Sequence, residues 1–308
     1  MNNRLRGMAL VGGAALVWST GGLLSRLIED ADPWTTIFWR SVSAFAFLFA
    51  FHLISRRGAA WREFRQMGLA GVVVGLCFTC ASISLVVALS LTSVAKTLVI
   101  MSATPLIAAV FGRVFLKEPI SRATAAAIVA VMIGIAIMVS GGSNEVQSFL
   151  GDFFAALIAV SYAGAIVISR RNHTVHMLPA TALGVGIAAL IALPFAAPAS
   201  VTAHDLPVIF LFGAGQLGLG LAMFVTGVRM IPASHSALLA MLEPILGPFW
   251  VWLALGEGPA PVVLAGGAIV MISIAAKTIA ELREPGSPTD AETGAQSATG
   301  GRQTLPRT

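Results

Sequence analysis

Apolar residues run through this chain in blocks of about twenty, and short polar breaks separate them. A bilayer core about 30 Å thick takes roughly 20 residues of α-helix. The blocks therefore predict spans over 7–28, 33–54, 67–89, 93–115, 122–140, 149–169, 178–199, 205–228, 233–255 and 261–280. The breaks carry turn and charge signals, among them Glu29-Asp30-Ala31-Asp32-Pro33, Arg56-Arg57-Gly58, Lys117-Glu118-Pro119, Ser140 to Glu145 and Arg170-Arg171-Asn172-His173. Arg4 and Arg6 precede the first apolar stretch, but no small-x-small cleavage site follows it, so it reads as an uncleaved span. From Glu284 onward Gly, Pro, Ser and Thr dominate, which predicts a disordered cytoplasmic tail. The expected fold is an all-α membrane protein of ten transmembrane helices.

Loop charge gives this count an orientation. With the N-terminus inside, the inner segments hold sixteen of the nineteen Lys and Arg residues. The outer loops hold Arg26 alone, while Arg40 and Lys96 fall within spans. A miscounted helix would flip every later loop and spoil the separation. Both termini are therefore expected in the cytoplasm.

Composition agrees with lipid as the solvent. The chain is 57% hydrophobic and 11% charged, against about 25% charged in soluble domains. The net charge of +5 does not point to nucleic acid, because the basic residues sit between apolar runs and form no interleaved patch. Cys77 and Cys80 lie inside an apolar run and read as small residues on one helical face rather than a metal or redox pair. No Walker motif, dinucleotide fingerprint, metalloprotease motif or nucleophile elbow occurs. No cofactor or metal is expected.

The chain also repeats itself. Residues 95–136 align with 234–275 at an offset of 139: Thr97 falls on Ser236, Pro105-Leu106-Ile107 on Pro244-Ile245-Leu246, and Leu116-x-Glu118 on Leu255-x-Glu257. The halves begin alike at an offset of 144, where Trp18-Ser19 and Ser25-Arg26 fall on Tyr162-Ala163 and Ser169-Arg170. Five spans per half is odd, so the second half enters from the opposite face. Such inverted repeats are typical of secondary transporters. The expected organisation is a first five-helix repeat over 1–140, an outer linker over 141–148, a second repeat over 149–283 and a tail over 284–308.

Certain segments resemble the EamA-type transporters of the drug/metabolite transporter superfamily. In the first half these are Ala88 to Ala95, Pro105-Leu106-Ile107 and Leu116-Lys117-Glu118. In the second they are Pro232 to Ala237, Leu242-Glu243-Pro244-Ile245, Leu253 to Glu257 and Gly266-Gly267, with Trp18 and Arg40 fitting the first two helices. The resemblance covers about 7–280 and implies ten helices and transport of small metabolites such as amino acids, usually export. The setting it implies is a bacterial cytoplasmic (inner) membrane. It names no substrate. One departure is Lys117, where a glycine often precedes the glutamate.

Ionisable groups at bilayer depth are costly, so each is a functional candidate. Glu243 lies in the ninth span before Pro244, which cannot donate to the Ala240 carbonyl and favours a kink, as Pro105 does in the fourth. Glu243 shares a small, polar face with Ser236, Ala240 and Gly247. It could bind a substrate amine, carry a coupling proton, or lock helix packing. Thr104 holds the equivalent place in the first half, so the site is chemically asymmetric. Lys96 and His235 are also equivalent. They could form polar lips at the two entrances, or Lys96 could snorkel to the headgroups with His235 at the interface. Arg40 could fork onto a substrate carboxylate or pair within the bundle. Trp18, Tyr162 and Gln216 either line a cavity or pack between helices. The glycines Gly71-x-x-x-Gly75, Gly213-x-Gly215 and Gly218-x-Gly220 read as close-approach points.

The expectation is thus a secondary transporter of a small-molecule substrate in a lipid bilayer, with proton coupling one open possibility. An integral membrane enzyme acting on lipid would need clustered catalytic groups at one interface. A channel would need a continuous polar stripe. An importer or uniporter would look the same in sequence.

Overall fold

The computed structural model describes residues 3–56, 60–140, 146–172, 177–228, 230, 231 and 233–283. Arg57, Gly58, the 141–145 stretch, His173, Arg229, Pro232 and the tail from 284 lie outside the described residues, as does the side chain of Ser234. The described chain is helical. α1 is Asn3–Ser19 continued by Gly21–Arg26, α2 is Pro33–Arg56 and α3 is Gly68–Leu91. α4 is Val94–Met101 continued by Thr104–Phe115, α5 is Arg122–Ser140, α6 is Val146–Arg171 and α7 is Met177–Ala192. α8 runs as Asp205–Phe210, Leu211–Leu219 and Gly220–Gly227. α9 is Ala233–Ala240 continued by Leu242–Leu255, and α10 is Pro261–Arg283. A short helix, Ala60–Gln66, joins α2 to α3.

Seven of these bodies are long and apolar enough to cross a membrane, and the apolar helices Arg122–Met138, Met177–Ala192 and Leu242–Leu255 are shorter. The outer surface is apolar: Ile54, Leu69, Leu190 and Ile272 are all well exposed. Charge goes inward, with Arg40, Lys96, Asp152 and Asp205 buried. This inside-out distribution is that of an integral membrane protein.

The principal helix contacts exchange under a shift of five helices. α1 packs on α8 as α6 packs on α3, and α1 on α9 as α6 on α4. α2 meets α8 as α7 meets α3, while the pairs α2–α7, α5–α10 and α4–α9 map onto themselves. Glycine lets backbones touch at some of these crossings. A Cβ on Gly266 in α10 would stand 2.4 Å from the Gly134 carbonyl of α5, and one on Gly184 in α7 equally close to the Gly75 carbonyl of α3.

The turns at the end carrying Arg26 are tied down. Asp205, fully buried at the start of α8, accepts the backbone N–H groups of Glu29 (3.1 Å), Asp30 (3.0 Å) and Ala31 (2.8 Å). Successive N–H groups aimed at one carboxylate form an anion-holding nest. They clip the α1–α2 turn onto α8. At the opposite end lies a cavity of about 260 Å³, lined among others by Pro105, Glu118, Ser121, Thr124, Arg170 and Lys277.

Candidate functional site

The candidate site sits where the helices lose their regular form. α4 breaks at Ser102–Ala103 and α9 at Met241, each immediately before the segment that carries Pro105 or Pro244. Proline is tolerated in a first turn, where its missing N–H leaves little unpaired. In α4 the carbonyl that Pro105 would have served, Met101 O, instead accepts the Thr104 hydroxyl at 2.6 Å. Thr104 therefore completes the break. The proline inside a helix proper is Pro248, which sequence reasoning passed over. α1 breaks at Thr20, and Leu211–Leu219 in α8 is a π-helix. Both π-segments and discontinuous helices recur at functional sites.

Arg40 of α2 is the centre of a buried polar cluster. It is 1% exposed. Nη1 donates to the Ser82 hydroxyl of α3 at 2.9 Å, and Nη2 to Gln216 Oε1 of the π-segment at 3.5 Å. The guanidinium also lies 4.4 Å from the centre of the Phe212 ring. Gln216 Nε2 donates in turn to the Trp18 carbonyl of α1 at 3.1 Å. Arg40 Nε is buried with no hydrogen-bond partner among the described residues. A Cβ on Gly213 would come within 2.1 Å of the Arg40 carbonyl, so glycine there sets the approach of α8 to α2.

Tyr162 of α6 interacts electrostatically with both Arg40 and Glu243, which places all three about one central region. Glu243 is half-buried, and no ion pair joins it to Arg40 among the described residues. The two aromatic residues matched by the repeat hold matched neighbours. Trp18 packs on Phe224 of α8 with ring centres 5.1 Å apart, and Tyr162 on Phe78 of α3 at 5.8 Å. On the Glu243 face of α9, Ser236 is buried, and Gly247 lies against Leu98 of α4 and the Ser19 carbonyl. Trp250 Nε1 donates to the Ser19 hydroxyl at 2.9 Å, a further tie between α1 and α9.

Lys96 is not part of this cluster, and the snorkelling expectation fails for it. The residue is 4% exposed, and its ammonium lies 2.6 Å from Asp152 of α6, with Ser148 Oγ at 3.1 Å. The Thr92 hydroxyl donates to the same carboxylate at 3.0 Å. Asp152 was missed because an acid three residues into a predicted span reads as a helix-end charge. His235, the repeat counterpart, is half-buried near the start of α9. Cys77 and Cys80 are free thiols on α3.

Two further ion pairs join the halves. Arg26 at the end of α1 lies 3.6 Å from Glu257 just beyond α9, and Arg170 at the end of α6 lies 2.8 Å from Glu118 just beyond α4. All four side chains are partly exposed. Each glutamate follows a helix that stops in the left-handed region, at Lys117 with φ 58° and at Gly256 with φ 71°.

Comparison with known proteins agrees with this architecture. A solved crystal structure with a TM-score of 0.65 to this chain is 21% identical to it, covering 90% of this chain and 99% of the other. That likeness shows a shared fold. No curated protein matches. The EamA-like transporter family matches twice, over residues 5–140 and 149–277, which together make up most of the sequence. The chain belongs to the EamA-like transporter family, the membrane transporters of the drug/metabolite transporter superfamily.

Proposed function

We propose that this protein is a secondary transporter that exports small polar or amphipathic metabolites, amino acids foremost, by alternating access. It does so as ten spans in two inverted five-helix repeats, with both termini in the cytoplasm of a bacterium and the cavity between the repeats. The helix contacts that exchange under a five-helix shift support this topology. The loop charges support the orientation.

The observation that carries the substrate class is a separated pair of opposite charges. Arg40 and Glu243 both interact with Tyr162, and no ion pair joins the two among the described residues. One buried nitrogen of Arg40 has no partner among the described residues. A guanidinium and an unpaired carboxyl group at membrane depth match a zwitterion, with the guanidinium forked onto its carboxylate and Glu243 on its amine. Gln216, Trp18 and Tyr162 supply the wall, Thr104 completes the α4 break, and Ser236 lies on the Glu243 face. The cavity beside Pro105 and Lys277 supports entry from the cytoplasmic end.

The test is uptake into proteoliposomes with a panel of labelled amino acids, comparing wild type with Glu243→Gln at several pH values. A marked fall in transport rate is expected in the variant, with the residual rate followed across pH. If no solute moves under any gradient, the transport reading fails. Transport unchanged in rate and pH dependence by Glu243→Gln removes Glu243 from the site. Proton coupling predicts that the pH dependence disappears with the carboxylate; a purely amine-binding role leaves it in place.

A further inference from the structure

The ion pairs Arg26–Glu257 and Arg170–Glu118 are copies of one another. Arg26 and Arg170 stand at the 144-residue offset of the repeat, and Glu118 and Glu257 at the 139-residue offset. Each pair joins a helix of one half to a helix of the other. Because successive helices run in alternating directions, α1 ends at one face of the bundle and α6 at the other. The pairs therefore sit at opposite ends. Elsewhere the halves have diverged, with Thr104 against Glu243 and Lys96 against His235. The same two residue types are kept in both of these pairs, with a left-handed helix stop directly before each glutamate.

We infer that these pairs are the two gates of the transport cycle, alternately formed and broken at the outer and the inner face. The inference rests on the alternating-access reading above. Its physical basis is their position and modest strength. A rocking motion of one half against the other must part α1 from α9 at one end, or α6 from α4 at the other. Partly exposed ion pairs contribute little net stability, since water solvates the charges when they separate. A latch of that kind biases a two-state equilibrium without trapping it. The two latches are unequal in this structure, 2.8 Å at Arg170–Glu118 and 3.6 Å at Arg26–Glu257. Arg26 also donates to the Thr92 carbonyl at 3.4 Å. The cavity lined by Glu118 and Arg170 gives the inner pair space to part.

The experiment measures distances between spin labels in liposomes, in a Cys77→Ser, Cys80→Ser background. Leu27→Cys with Trp252→Cys reports the outer end. Arg113→Cys with Arg171→Cys reports the inner end at the repeat-equivalent positions. Glu257→Gln is expected to lengthen the first distance without lengthening the second, and Glu118→Gln to do the reverse. Exchanging the charges, Arg170→Glu with Glu118→Arg, is expected to return the inner distance to that of the parent. Lengthening at both ends together, at neither, or failure of the exchange to restore the distance overturns the gates. This readout needs no solute. A protein that moves no amino acid sinks the transport reading, while the gates are still judged from the distances.

Discussion

The Lys96 ammonium lies 2.6 Å from the Asp152 carboxylate, with both side chains buried where α4 meets α6. Thr92 and Ser148 complete the hydrogen bonding. Removing one partner of a buried pair leaves an uncompensated charge and costs about 3–5 kcal/mol, whereas replacing both is often close to neutral. Lys96→Met and Asp152→Asn are each expected to lower the detergent-solubilised melting temperature sharply. The double variant should recover most of the loss. Additive losses in a double-mutant cycle would deny the pairing.

Lys117 adopts φ 58° where its repeat counterpart is Gly256 at φ 71°. A side chain in the left-handed region costs about 1 kcal/mol relative to glycine. Lys117→Gly should therefore raise thermal stability by about that amount, and Gly256→Ala should lower it similarly. The family departure at Lys117 is thus a site of strain. Equal melting temperatures for Lys117→Gly and wild type would show that the lysine side chain offsets the strain.

Asp32 accepts the N–H groups of Trp34 at 2.9 Å and Thr35 at 3.1 Å, together with the Thr35 hydroxyl, at the start of α2. Burial works against its charge, but these hydrogen bonds outweigh it and hold the carboxyl below the usual range. A carboxylate depressed on folding stabilises the protein above its unfolded value, near pH 4, and that contribution is lost as pH falls through the folded value. Asp32→Ala should cost about 1 kcal/mol at pH 7, as lost helix caps do. The difference from wild type should shrink below pH 4. Melting curves at pH 3 and pH 7 check this, and an unchanged difference would exclude the carboxylate as the cause.

Gly213 faces the Arg40 carbonyl so closely that a Cβ would stand 2.1 Å away, and Gly12 offers a contrast, its nearest neighbour being Leu239 at 3.8 Å. Gly213→Ala should push the π-segment off α2, separate Gln216 from Arg40, and cost about 1–3 kcal/mol as overpacking does. Gly12→Ala should be nearly silent. Parallel measurement of melting temperature and amino-acid uptake separates the two, and equal behaviour of both variants would refute the close-packing argument.

Much of this was legible before the fold was known, because the period of apolar residues is set by bilayer thickness and loop charge by insertion. The matched positions Arg26 and Arg170, and Glu118 and Glu257, could be read from the offsets. That each arginine meets the other half's glutamate could not, since pairing depends on which helices become neighbours. Arg40, Gln216 and Trp18 stand out separately as polar or aromatic groups at depth, yet their hydrogen-bonded chain runs through Ser82 and a π-segment, with the Phe212 ring against the guanidinium. A glycine-rich apolar run gives no sign of whether its backbone turns as an α- or a π-helix. Thr104 stands at the repeat position of Glu243, but that its hydroxyl donates to the Met101 carbonyl could not be read from the offset.

Arg40 offers the sharpest test of the site itself. Its fork reaches Ser82 and Gln216 with separate nitrogens while the plane lies by Phe212. A lysine keeps the charge but presents one point of donors, so it cannot hold both neighbours and also grip a carboxylate in two places. Arg40→Lys should keep the fold, with a melting temperature near wild type, yet raise the apparent KM for amino acids at least about tenfold, the loss of roughly one charge-assisted hydrogen bond. Decarboxylated amines should be much less affected, because they never use the fork. Ser82→Ala removes one anchor of the guanidinium and should give a smaller change in the same direction. If Arg40→Lys weakens amines and amino acids alike, the guanidinium holds the bundle rather than the substrate, and the zwitterion reading falls with it.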